Sequence, residues 1–123
     1  MTKEKTNADQ LIAVILDGIE DVKGQNINIL DLREIENTVC DYFIICEGTS
    51  NTQVNAIVNS IQKKVSKEIK DKPWHIEGQD NAEWVLMDYV NVVVHVFQRH
   101  IREYYDIESL WGDAVSTEIK SSY

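Results

Sequence analysis

The stretch WVLMDYVNVVVHVF, residues 84–97, constrains the fold of this chain more than any other part of it. Two runs rich in β-branched and aromatic residues meet at Val90-Asn91, which reads as the two-residue turn of a β-hairpin. That turn pairs Tyr89 with Val92, Asp88 with Val93, Met87 with Val94, Leu86 with His95, Val85 with Val96 and Trp84 with Phe97. Side chains directly opposite one another share a face. One face is then Val85, Met87, Tyr89, Val92, Val94 and Val96, suited to a cover of helices. The other is Trp84, Leu86, Asp88, Val93, His95 and Phe97. Sliding the turn by one residue would scramble the two sets, so their clean separation supports the register.

The second face mixes large aromatics with a carboxylate and an imidazole. Asp88 and His95 lie diagonally on it, close enough for long side chains to approach. A catalytic pair, a metal ligand, a core histidine and a binding surface are the four readings open to His95. Buried under helices, the aspartate would need a satisfied partner. Left partly open, the face has the aromatic-rich composition of a protein-binding patch. The other imidazoles, His75 and His100, stand at no ligand spacing from His95, which argues against zinc. A triad built on Ser50 is disfavoured because that serine, three residues before Gln53, reads as a helix cap.

The rest of the chain supplies what such a hairpin needs. Asn7 or Thr6 caps a first helix with Leu11, Ile15, Ile19 and Val22 at helical period, stopped by Gly24. Residues 26–32 and 39–46 read as strands separated by a polar turn. The Ser50–Gln53 capping box then opens a second helix with Val54, Ile57, Val58, Ile61, Val65 and Ile69 as its buried stripe, and Pro73 bars its continuation. A short strand over 74–78 precedes the hairpin, and a last helix covers roughly 100–111. The order helix-strand-strand-helix-strand-strand-strand-helix predicts an α/β fold of the α+β type: one mixed sheet of about five strands, with helices mainly on one face. We expect a flexible lead over 1–7, a single domain over 8–114 and a flexible polar tail over 115–123.

Composition narrows the function classes. Twelve Lys and Arg against 21 Asp and Glu leave a formal charge of −9, which opposes nucleic-acid backbones and favours a basic protein partner. The densest basic run, KKVSKEIKDK at 63–72, also exposes Glu68 and Asp71 and reads as a solvated helix face. No apolar run approaches the ~20 residues of a membrane span, and MTKEKTNADQ at the start has no leader-like pattern, so the cytosol is the expected location. Cys40 and Cys46, at the two ends of one extended strand, lie ~20 Å apart, too far to form a disulfide.

At these same residues the chain closely resembles the ribosomal silencing factor family, also called RsfS or Iojap. The matching stretches are Asp41–Cys46, Gly48-Thr49-Ser50 with Gln53, Glu77-Gly78, Trp84–Tyr89, Val93–Phe97, and Tyr104-Tyr105 with Leu110–Ala114. They span roughly 8–114 in family order. The chain departs at Val90, where the family usually has glycine, and at Asn91, where aspartate is common. Valine resists positive φ at such a turn, whereas asparagine tolerates it. The resemblance implies a translation regulator without cofactor or metal. Such proteins bind the large ribosomal subunit through ribosomal protein L-fourteen, block subunit joining under nutrient limitation, make little direct RNA contact and dimerise when free. Organellar relatives assist large-subunit assembly. The implied partner-binding residues are Trp84, Leu86, Asp88, His95 and Phe97, with Tyr104 and Tyr105 at the margin.

The resemblance also implies a nucleotidyltransferase-like fold, and so a rival reading as an enzyme. In those enzymes a pair of carboxylates that hold Mg²⁺ follows the Gly-Ser motif by about a dozen residues. Here that region is NSIQKK, 59–64, with none. Asp88 alone cannot replace the pair. We therefore expect calorimetric titration with Mg²⁺ and each of the four nucleoside triphosphates to show no saturable binding. Micromolar, metal-dependent binding abolished by Asp88→Ala would restore the enzyme reading.

Overall fold

The computed structural model describes residues 7–38 and 40–121. Thr6 as an alternative cap, Val39 as the start of the second strand, residues 1–6 of the expected lead and residues 122–123 of the tail lie outside them. Along the chain run α1 (Ala8–Asp21), β1 (Gln25–Asp31), β2 (Tyr42–Gly48), α2 (Asn51–Ile69), β3 (His75–Glu77), β4 (Trp84–Asp88), β5 (Val92–Gln98), α3 (Arg99–Tyr105), α4 (Ile107–Leu110) and β6 (Val115–Ile119). The strands form one mixed sheet in the order β3-β4-β5-β2-β1-β6. Among the described residues only β2 and β5 pair in parallel.

The hairpin register is the expected one, from Trp84 opposite Phe97 to Asp88 opposite Val93. Its apolar face packs into the larger core, where Val85, Met87, Val92, Val94 and Val96 meet Leu11, Ile15 and Ile19 of α1 and the Val54–Val65 stripe of α2. Asn7 caps α1 by accepting from the Asp9 amide at 2.8 Å. Ser50 caps α2 through the Gln53 amide at 3.1 Å. The return bond goes one residue further out than a capping box would send it: Gln53 Oε1 accepts from the amide and hydroxyl of Thr49. Gln53 Nε2 in turn donates to the Val22 and Lys23 carbonyls, tying the start of α2 to the end of α1. The two helices approach closely at Gly18, where a Cβ would stand 2.9 Å from the Ile61 Cα.

Two expectations need correction. The sheet has six strands among the described residues, because residues 115–119, expected in the frayed tail, pair antiparallel with β1 from Ile27–Ile119 to Asp31–Val115. The residues of this last strand are mostly exposed, with Ile119 alone packing on the larger core, so ladder hydrogen bonds do most of the holding. The last helix is broken at Asp106, whose φ of 46° ends α3 and begins α4. Helices lie mainly on one face, as expected: α1 and α2 cover it, while α3 and α4 form a thinner cover on the other.

The hairpin turn is strained. The positive φ falls on Val90, at 76°, and not on Asn91. The Asn91 amide donates to the Tyr89 carbonyl at 3.0 Å, an i to i+2 bond that makes Val90 the centre of a γ-turn of the uncommon positive-φ kind. Asp88 Oδ1 steadies it by accepting from the Val90 amide at 2.8 Å. A β-branched residue there costs about 1–3 kcal/mol, of which glycine would restore most, less its own larger unfolded-state entropy. Val90→Gly should therefore raise stability by on the order of 1 kcal/mol in denaturant titration. A loss of similar size would show that the turn is unstrained.

Candidate functional site

The mixed face of the hairpin continues across the sheet into Phe43 and Ile45 of β2 and Leu30 of β1. With Leu32, Cys40 and Ile107 these residues make a second, smaller core, against which Trp84, Leu86, Ile101 and Trp111 pack partly buried. The seven residues expected to form a binding surface are sorted by this cover. Phe97 is wholly buried and His95 is 4% exposed, so neither is presented to a partner. Trp84, Leu86 and Asp88 are half-buried, and Tyr104 and Tyr105 are 79% and 49% exposed. Hairpin register gathers the residues on one face as expected. It does not leave that face open, because α3 follows β5 directly and folds back over it.

The aromatic groups are stacked in depth. Trp84 lies on Phe97 with ring centroids 4.9 Å apart, and Tyr105 packs on Trp84 at 5.0 Å. Phe43 meets His95 edge to face at 4.6 Å, and Tyr104 meets Tyr105 edge to face at 5.1 Å. Leu110 on α4 adds an apolar side chain that is 76% exposed.

His95 is a core histidine held in one tautomer. The Trp84 indole N–H donates to Nδ1 at 3.1 Å, so the neutral ring carries its proton on Nε2, which is buried with no hydrogen-bond partner. Burial alone pushes its pKa down to about 4. Asp88 does not pair with it; its carboxylate serves the Val90 turn.

A polar network that no motif announced lies further along the same face. Arg102 of α3 donates to Glu47 Oε1 at 3.0 Å, to both carboxylate oxygens of Glu108 at 3.0 Å, and to the Asn26 carbonyl at 2.6 Å. Asn28 Nδ2 also donates to Glu108, and the Ser116 hydroxyl donates to Asn28 Oδ1. One guanidinium on α3 thus ties β1, β2 and α4 together, and Asn28 and Ser116 extend the network to β6. Burial opposes its charge, but the Glu108 hydrogen bonds and the Glu47 charge outweigh that and raise its pKa; the Arg102 hydrogen bond lowers that of Glu108. Glu47 could have been noticed as a charge inside a strand that is otherwise buried.

The remaining candidate chemistry is quiet. Ser50 is occupied as the α2 cap. Burial raises the Cys40 and Cys46 thiols to about 11 and about 12, which keeps both protonated. Among the described residues no group of His, Cys, Asp and Glu is placed to hold a metal ion, and no helix is long and apolar enough to cross a membrane.

Residues 5–122 match the sequence profile of a family described as ribosomal silencing factor during starvation. The chain is 38% identical over 111 residues to a ribosomal silencing factor RsfS of Halalkalibacterium halodurans, covering 90% of this chain and 93% of that protein. It is 40% identical to one of Bacillus subtilis, covering 88% and 90%. A crystal structure of a protein from Chromobacterium violaceum superposes with a TM-score of 0.81 at 38% identity, covering 87% of this chain and 88% of that one.

Burial of a neutral His95 makes stability depend on pH. Between the ordinary histidine value of 6.5 and about 4 the unfolded chain binds the extra proton, so stability is full above 6.5 and falls as pH drops through this window. The loss is on the order of 3 kcal/mol. His95→Gln, which keeps an acceptor for Trp84 but cannot charge, should flatten that part of the thermal-midpoint curve. Parallel curves for the two proteins would mean that His95 titrates normally.

Proposed function

Because the chain belongs to the ribosomal silencing factor family, we propose that it represses translation by docking on the large ribosomal subunit and blocking subunit joining. The partner is ribosomal protein L-fourteen, and the docking surface is the aromatic face of Trp84, Leu86, Tyr104 and Tyr105, extended by Leu110. In this reading the free protein is a homodimer in the cytosol. His95 and Phe97 act from below, by setting the height and tilt of Trp84, and Asp88 acts at the rim. No catalytic step is involved.

The observation that carries the reading is the 79% exposure of Tyr104, whose ring meets Tyr105 edge to face, while Tyr105 in turn packs on the half-buried Trp84. Large apolar side chains around half-exposed aromatics make the centre of a protein interface. The formal charge of −9 suits a basic partner and disfavours direct contact with RNA.

Trp84→Ala is a poor test, because it would also strip the Phe97 floor of its stacking partner and leave His95 Nδ1 without its donor. The exposed tyrosines separate binding from folding. Replacing Tyr104 and Tyr105 together with alanine should keep the thermal midpoint within a few degrees and weaken large-subunit co-sedimentation by about thirtyfold, equivalent to ~2 kcal/mol. Met87→Ala, on the fully buried opposite face, should instead lower stability by about 2–5 kcal/mol while the folded fraction still binds. Normal binding by a folded double tyrosine variant would remove this face as the docking surface.

A further inference from the structure

Beside the Arg102 network the surface opens into a cleft of about 380 Å³, lined by β1, β2, α3, α4 and β6. It lies beyond the carboxyl ends of β2 and β5, the parallel pair, where Glu47 stands opposite Phe97 and Gly48 opposite Gln98. That is where open α/β sheets commonly receive ligands.

The carboxylates outnumber the donors at the buried end of the cleft. Arg102 spends four of its five N–H donors on Glu47, Glu108 and the Asn26 carbonyl, Asn28 gives one amide N–H to Glu108, and the Ser116 hydroxyl donates to Asn28 Oδ1. Glu47, 4% exposed, gives Oε1 to Arg102, but its Oε2 is buried without a hydrogen-bond donor. The nearest cation, Arg99 Nε, is 3.8 Å away on a side chain that is 71% exposed and stands 3.5 Å from Glu103. Glu103 and Glu118 add carboxylates to the lining.

Four carboxylates against two guanidinium groups repel an anion. A hard metal ion is excluded because no group among the described residues converges enough ligands. At the buried end of the cleft a guanidinium would find no free pair of oxygens on one carboxylate, since Glu47 Oε1 and both oxygens of Glu108 already accept from Arg102. A compact ammonium with three rotatable donors matches what remains. We infer that this cleft is a binding site for a primary alkylammonium group, which displaces the exposed Arg99 side chain to reach Glu47 Oε2, with Glu118 at the rim. The group is either the end of a free polyamine or a lysine side chain of the basic partner. The second source rests on the proposed function, for α3 carries both this cleft's Arg102 and the exposed Tyr104 and Tyr105.

The test uses the full chain, with 1,4-diaminobutane and spermidine as probes and uncharged 1,4-butanediol as control, followed by NMR shift titration. Glu47→Gln keeps the volume and the Arg102 contact but removes the charge; Glu118→Gln alters the exposed rim. Saturable amine binding, absent for the diol and weakened about tenfold or more in Glu47→Gln at unchanged thermal midpoint, supports a free-amine site. No amine binding, together with a similar loss of large-subunit co-sedimentation in both glutamine variants, assigns the cleft to a partner lysine. If Glu47→Gln lowers the midpoint, Glu118→Gln decides alone. Diol binding equal to the diamine, or no amine binding with unchanged subunit binding, overturns the inference. The double tyrosine variant tests the docking reading separately, and its failure would leave the free-amine result standing.

Discussion

β5 is buried on both faces. Every residue from Val92 to Phe97 is inside, with β4 paired along one edge and β2 along the other. A strand in that position cannot be satisfied by one layer of helix, and this requirement organises the rest of the chain. Val92, Val94 and Val96 demand the long α1–α2 layer, which the sequence provides with two strongly amphipathic helices. Val93, His95 and Phe97 demand a second layer from whatever chain remains. That layer comes from short pieces: the loop carrying Leu32 and Cys40, the two turns of α3, and α4.

A cover built from short pieces cannot anchor itself by apolar area alone, and the Arg102 network supplies the difference. Burying a guanidinium between Glu47 and Glu108, with side chains only 12%, 6% and 27% exposed, is weak evidence for raw stability, since desolvation offsets much of the attraction. What it provides is a single geometry. Glu47 of β2, the Asn26 carbonyl of β1 and Glu108 of α4 converge on one fork-shaped donor set from α3, and β6 joins at one remove through Ser116 and Asn28. The histidine of β5 is handled with less. Its Nδ1 is met by Trp84, its Nε2 is left unpaired, and the deep fall in its pKa measures what burial without a charged neighbour costs the imidazolium.

These two layers also mark how far sequence alone could reach. Hairpin register, both helix caps and the α1–α2 core were legible because alternation and helical period report which side chains share a face. They do not report what lies over that face. Trp84, Leu86, Asp88, Val93, His95 and Phe97 look the same in one dimension whether open to solvent or covered by a broken helix. The break at Asp106 had no glycine or proline to announce it, and in Val115–Ile119 the alternation of Val115, Thr117 and Ile119 is too short, with only two apolar residues, to stand out from a polar tail. The Arg102 cluster joins residues as far apart in sequence as Asn26 and Glu108, a distance over which no spacing rule operates.

The exposed chemistry of the molecule is therefore an outgrowth of its thin layer. Tyr105 rests on Trp84, Trp84 on Phe97 and His95, and both of those belong to the strand that had to be covered. In the middle of the same short helix, Arg102 closes one wall of the acidic cleft. A helix of seven residues has too little surface for its two features to be fixed independently, so aromatic face and cleft share one support. Substitutions beneath the surface, at His95 or Arg102, will disturb both features together, whereas changes at Tyr104 or Glu118 reach only one. Any functional dissection of this face has to be made from the exposed side.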